Sequence, residues 1–117
     1  MAKIKTLRNK ADKLFQIAFV KKNPYCEFCG KPTFCGHHII TKAASFALRY
    51  VENNLVAVCY PCHWRFHSKF SSLMIAEITL KRGLSWYQDL LKRKAKIIKT
   101  NIKYYQDIIE TLIKDKS

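Results

Sequence analysis

The stretch Cys59-Tyr60-Pro61-Cys62-His63-Trp64-Arg65-Phe66-His67, with Cys26-Glu27-Phe28-Cys29 and Gly36-His37-His38-Ile39 upstream, decides how this chain folds. Each CxxC pair brings two thiolates to one turn, and Gly30 after the first pair lets backbone N–H groups approach the sulfurs. Four thiolates, Cys26, Cys29, Cys59 and Cys62, make a closed tetrahedral donor set with no open position, the pattern of a structural Zn²⁺. A redox dithiol is the competing reading. The fifth cysteine, Cys35, is left over and reads as a small apolar residue or a competing ligand.

His63 and His67 stand four apart, so on a helix both imidazoles point to one side. A third His from the Gly-His-His-Ile segment would make three nitrogen ligands and leave positions for water and phosphate oxygens. That is the open arrangement of a catalytic ion. All four histidines fall between Gly36 and Ser68, which favours one shared site. The alternatives are a Cys3His zinc site completed by His63 or His67, or histidines packed in the core. Three imidazoles favour Zn²⁺, Ni²⁺ or Co²⁺ on affinity, while availability favours Mg²⁺ or Mn²⁺.

Next to these motifs, Leu55-Val56-Ala57-Val58 reads as a strand entering Cys59, and Pro61 suits the first turn of the helix that follows. Pro24, Gly30, Pro32 and Gly36 punctuate residues 24–42 into tight turns and a short hairpin. Residues 43–51 read as a brief helix or a loop. Upstream, Ile4, Leu7, Ala11, Leu14, Phe15, Ala18 and Phe19 recur at helical spacing opposite Lys3, Lys5, Arg8, Lys10 and Lys13, until Asn23-Pro24 stops the helix. Its basic face is either solvated or a DNA contact. Downstream, Leu73, Ile75, Ile78 and Leu80 precede Gly83, a C-cap residue, and Ser85-Trp86-Tyr87-Gln88 has the spacing of a capping box. From there Trp86, Leu90, Leu91, Ile97, Ile98, Ile102, Tyr105, Ile108, Ile109, Leu112 and Ile113 predict one long helix.

The expected fold is α+β in a single domain, residues 1–117. A small ββα core with its zinc site occupies 24–70, between an N-terminal helix (1–22) and a long helical C-terminal extension (71–117). A chain of 117 residues builds a modest core, which a structural metal would help hold together. Its net charge of +14 predicts a polyanionic partner, nucleic acid before an anionic membrane surface. No apolar run reaches the ~18 residues of a membrane span. The first residues lack a secretory signal, so the expected compartment is a reducing cytoplasm, where CxxC cysteines bind metal. The basic run Lys92, Arg93, Lys94, Lys96, Lys99 and Lys103 could track a phosphate backbone, lie on a membrane or be solvated.

The order Cys-x-x-Cys, Gly-His-His-Ile, Asn-Leu, Cys-x-x-Cys-His, His resembles the HNH endonucleases with a ββα-metal (His-Me finger) fold, over residues 24–68. The flanking words Lys10-Ala11-Asp12-Lys13-Leu14-Phe15, Ala47-Leu48-Arg49-Tyr50 and Arg82-Gly83-Leu84-Ser85-Trp86-Tyr87 are similar to phage recombination endonucleases of the NinG (Rap) kind. The resemblance implies that His38 is the general base and His37 a metal ligand, often Asp in relatives. It implies that Asn54, five residues before Cys59, is the middle Asn that fixes the geometry around the base. His63 and His67 are the implied further ligands. The implied activity is metal-assisted hydrolysis of DNA phosphodiester bonds, leaving 5′-phosphate and 3′-hydroxyl ends. Arg65 then either contacts the scissile phosphate or is a plain surface residue.

With no recognisable base-reading motif, DNA structure rather than sequence is the expected determinant. The NinG likeness implies branched recombination intermediates in a bacterial or phage-infected cell. A resolvase of four-way junctions would need two sites, which a homodimer would supply; the C-terminal helix either pairs with its copy or, as its apolar positions also allow, packs on the N-terminal helix. The rival functions are a non-catalytic zinc-stabilised DNA-binding module, an RNA-directed nuclease and a phage packaging nuclease.

Overall fold

At the centre of the computed structural model, which describes residues 2–114, lies a two-stranded antiparallel sheet. Strand β1 (Cys35–His38) pairs with β2 (Leu55–Val58) in the register Cys35 to Val58, Gly36 to Ala57, His37 to Val56 and His38 to Leu55. All four β2 side chains are fully buried. Alternation explains how: Val56 and Val58 face a cluster with Leu48, Phe66, Met74, Ile78 and Leu90, while Leu55 and Ala57 face Phe15 and Phe19. Layers cover both faces of the strand, and this is why it reads as an unbroken apolar run.

Helix α1 (Ala2–Lys22) forms the layer on one face. Its buried stripe is Ala11, Phe15 and Phe19, at four-residue spacing. Asn23 ends it by donating its side-chain amide to the Phe19 carbonyl at 3.0 Å. On the other face lie α2 (Tyr60–Phe66), α3 (Ser71–Arg82) and α4 (Leu84–Lys94). Residues 43–51 resolve into turns, and a 3-10 turn (Glu52–Asn54) leads into β2.

The corner between α3 and α4 clamps the first CxxC turn. The Arg82 guanidinium pairs with the Glu27 carboxylate and also donates to the carbonyls of Asn53 at 3.2 Å and Leu55 at 3.0 Å. Trp86 lies under that guanidinium, 4.9 Å away, and donates its indole N–H to Asn53 at 2.7 Å. The corner itself is Gly83, at φ 99° in the left-handed half of backbone space. Gly83 caps both helices, so Ser85 falls inside α4 and the expected Ser85 capping box does not form.

The C-terminal extension is not the single long helix that its apolar spacing predicts. Helix α4 stops at Lys94, residues 95–101 are non-helical, and α5 (Ile102–Lys114) begins anew. Like charges four apart (Lys92 with Lys96, Lys99 with Lys103) and the β-branched Ile97, Ile98 and Thr100 weaken a helix there. Asn101 then restarts it, its side-chain oxygen accepting from the Tyr104 N–H at 2.8 Å. The break turns α5 back onto α1, where Tyr105 and Ile109 bury against Ala11. The apolar face of α5 is thereby used within the chain, on the N-terminal helix, rather than left to pair two copies. No helix among the described residues is long and apolar enough to cross a membrane.

Candidate metal centres and catalytic cleft

The two CxxC pairs meet where the chain makes two tight turns. In the first, the Cys26 N–H donates to the Lys31 carbonyl at 2.7 Å and the Gly30 N–H to the Cys26 carbonyl at 3.0 Å. Gly30 sits at φ 76°, which a side chain would strain. In the second, Cys59 ends β2 and caps α2, whose first turn carries Cys62. The four Sγ atoms of Cys26, Cys29, Cys59 and Cys62 lie within 4.8 Å of one another. Sulfurs about 2.3 Å from one tetrahedral ion stand about 3.8 Å apart, so the set fits a single zinc. Burial opposes the Cys26 thiolate, but backbone groups of Cys59, Cys29 and Phe28 outweigh it and pull the thiol down to about 7. Burial and the adjoining sulfurs push Cys62 well up, so a cation is needed to hold the whole set ionised. Cys35 stands outside this group; burial raises its thiol to about 11.

A second cluster is separate from the first. Ligand nitrogens of His37, His63 and His67 lie within 4.8 Å of one another, and the Nε2 atoms of His63 and His67 are 3.1 Å apart. Nitrogens about 2.0–2.1 Å from one ion at tetrahedral angles stand about 3.3 Å apart, so this set too fits one ion. A Cys3His site completed by His63 or His67 is set aside by this separation. His67 is the residue that ends α2 rather than one of its turns, with its N–H bonded to the Trp64 carbonyl at 3.0 Å. His37 arrives from β1 and is held by stacking on Phe66, 4.2 Å between centroids at 18°. Burial, then repulsion from His63, His67 and His38, brings His37 down to about 4. Its imidazole is therefore neutral at pH 7 and has a lone pair to give.

His38 lies on the opposite side of β1. Its Nε2 stands 3.0 Å from the Arg49 carbonyl, which only accepts, so Nε2 carries the proton and Nδ1 the lone pair. Burial keeps its pKa below the ordinary histidine value although the Arg49 carbonyl pulls the other way. That carbonyl is itself fixed from α1. The Arg49 guanidinium donates to both Asp12 carboxylate oxygens, at 2.9 and 2.6 Å, and the Tyr50 hydroxyl donates to Asp12 at 2.8 Å. Burial opposes the Asp12 charge, but these bonds win and hold its carboxyl below the usual value. Asp12 had no role assigned from the sequence. The signal that could have found it is its isolation: it is the only acidic residue in α1.

Gln16 is the second contribution of α1. Its amide donates to the Gly36 carbonyl and accepts from the Gly36 N–H, both at 2.9 Å, as a third strand would at that edge. A Cβ on Gly36 would lie 2.6 Å from Leu55 and 2.7 Å from Phe19, so no side chain fits there without movement.

Asn54 is buried behind this assembly. It accepts from the Ile40 N–H at 2.8 Å and donates to the carbonyls of Ile40 at 2.9 Å and Leu48 at 3.2 Å. It holds the loop that leads to Arg49 and does not line the cleft.

Gln16, His37, His38, Lys42, His63 and His67 are among the walls of one open cleft of about 350 Å³. Arg65 is exposed and is not among them. The basic run is split by the helix break: Lys92 and Arg93 close α4, Lys96 and Lys99 lie in the connection, and Lys103 opens α5. Arg93 and Lys103 pair with Asp89 at 3.6 Å and Asp107 at 3.3 Å.

Residues 26–69 match the family model described as HNH endonuclease. No curated protein and no solved structure matches the chain. The segment that carries both clusters and His38 is thus similar to the HNH endonucleases.

Proposed function

We propose that the chain is a metal-dependent endonuclease that hydrolyses DNA phosphodiester bonds in the histidine cleft. The observation that carries this reading is His38: a neutral base with its lone pair left on Nδ1, in the same cleft as three convergent imidazoles. A nuclease needs those two parts together, a group to take the proton of the attacking water and a place for positive charge beside the phosphate.

His37, His63 and His67 would hold the ion, and the Cys set a structural zinc. Bound at the histidines, a divalent cation supplies Lewis-acid stabilisation of the charge that develops on the phosphate. The chain does the rest. His38 Nδ1 takes a proton as the water oxygen bonds to phosphorus. The bond from phosphorus to the 3′ oxygen breaks, and a proton from solvent completes the 3′-hydroxyl, leaving a 5′-phosphate. Lys42, exposed on the cleft wall, is placed to attract the phosphate backbone. Asn54 and Asp12 act as positioning residues, the first through the 40–48 loop and the second through Arg49. The likeness of the flanking words to phage recombination endonucleases supports branched DNA as the preferred form.

The test is cleavage of linear, supercoiled, flapped, forked and four-way DNA, and of RNA, with Mg²⁺, Mn²⁺, Ni²⁺, Co²⁺ and Zn²⁺. His38→Ala is expected to lose about 10²-fold or more in rate while still binding DNA. A wild-type chain that cuts no DNA under any of these metals refutes the enzyme and leaves a zinc-stabilised DNA-binding module. Preferential cutting of RNA refutes the DNA assignment.

A further inference from the structure

Three large aromatic side chains stand in the open beside the histidine cluster. Phe34, the residue before β1, is 54% exposed; Tyr60 and Trp64, one turn apart on α2, are 53% and 59% exposed. They touch in a chain: Phe34 to Tyr60 at 5.1 Å between centroids and Tyr60 to Trp64 at 6.1 Å, both edge to face. With His63 and His67 they line a shallow cavity of about 330 Å³. His63 and His67 are also walls of the catalytic cleft, so the two depressions share a boundary. The stability of the fold does not ask for this arrangement. The buried side of α2 is Cys62 and Phe66, and Tyr60 and Trp64 lie on its other side.

We infer that Phe34, Tyr60 and Trp64 form a stacking platform for unpaired nucleobases of the DNA strand whose phosphate lies at the histidines. The inference rests on the nuclease reading for its substrate class and adds a preference within it. Two features select this occupant over a protein surface. The patch abuts the place where the phosphate is expected, and the chain carries a net charge of +14, which draws in a polyanion. Every base offers a π face to an aromatic ring, whereas a base inside a continuous duplex has both faces covered by its neighbours. The platform therefore selects single strands, frayed ends and the unpaired nucleotides of branch points, without reading sequence. It also gives the preference for distorted DNA a local cause, independent of the basic residues on α4 and α5.

The experiment uses the full zinc-loaded chain carrying His38→Ala, titrated with a short oligothymidylate and with a blunt duplex. Tryptophan emission and fluorescence anisotropy are the two readouts. Oligothymidylate is expected to quench emission, and the quench should disappear in Trp64→Phe, which keeps a stacking ring but removes the reporter. Trp64→Ala should lower the preference for single strand over duplex by about tenfold. Zinc content and circular dichroism confirm that each variant is folded.

A quench that survives Trp64→Phe, or a preference that moves less than about twofold in Trp64→Ala, overturns the platform. So does binding of an apolar peptide at Trp64 while oligothymidylate leaves that residue untouched. Cleavage by the chain with His38 restored is read in parallel. Cleavage without a Trp64-dependent quench refutes the platform alone. A Trp64-dependent quench without cleavage refutes the nuclease reading alone.

Discussion

Replacing Asn54 with Ala removes three side-chain hydrogen bonds of 2.8, 2.9 and 3.2 Å from a position with no exposed surface. Each is worth about 1 kcal/mol net, and a buried partner left unsatisfied costs about 1–3 kcal/mol. The orphaned groups are the Ile40 N–H, the Ile40 carbonyl and the Leu48 carbonyl, in residues that are themselves buried. Allowing water to recover the groups at Ile40, the expected loss is about 3–5 kcal/mol, a large part of the roughly 5–15 kcal/mol that holds a domain together. Asn54→Asp does not rescue it: the acceptor for Ile40 survives, but the donor to the two carbonyls becomes a second acceptor. Urea denaturation at fixed free zinc measures the loss. Cleavage should fall with it at unchanged zinc content, because the Leu48 carbonyl anchors the chain next to Arg49, whose own carbonyl orients His38. An Asn54→Ala chain within about 1 kcal/mol of wild type, yet inactive, overturns this positioning role and puts Asn54 in the chemistry itself.

Asp12→Asn should lower kcat more than KM, since it loosens Arg49 and with it the His38 tautomer, while the zinc content stays the same. The Asp12 carboxyl titrates below its ordinary value when folded, so its stabilisation is complete above the ordinary carboxylate range and is lost only as pH falls through the lowered value. The stability gap between wild type and Asp12→Asn should therefore not narrow from about pH 8 to about pH 5; a gap that closes within that range contradicts the assignment. Gly36→Ala should cost about 1–3 kcal/mol in the same denaturation, as Leu55 and Phe19 are forced aside. Stripping the tightly held metal with a strong chelator should unfold residues 26–69, seen as loss of near-ultraviolet dichroism, whereas Cys35→Ser should retain its zinc because Cys35 lies outside the Cys cluster.

Much of the fold was legible because its signals are local. The α1 stripe, the apolar run of β2, Pro61 at the start of α2 and Gly83 at the α3 corner each declare themselves within a few residues. The C-terminal helix was misread because apolar spacing continues through 95–101 while like charges and β-branched residues break the backbone there. The Ser85 capping box failed for a related reason: a left-handed glycine two residues earlier had already ended one helix and begun the next.

Which atoms are available for chemistry is written in the amino-acid order alone. The two CxxC pairs and four clustered histidines state the donors, because ligand types and short spacings follow from covalent connectivity and helix geometry. How those donors divide and what holds them depends on the folded chain. It separates the cysteines from the three convergent histidines and turns His38 to the Arg49 carbonyl. It brings Asp12 and Gln16 of α1 to partners 37 and 20 residues away, and sets Phe34 against Tyr60 beside the cleft. Contacts of that span depend on how α1 packs over the sheet, and no local pattern of residues encodes them.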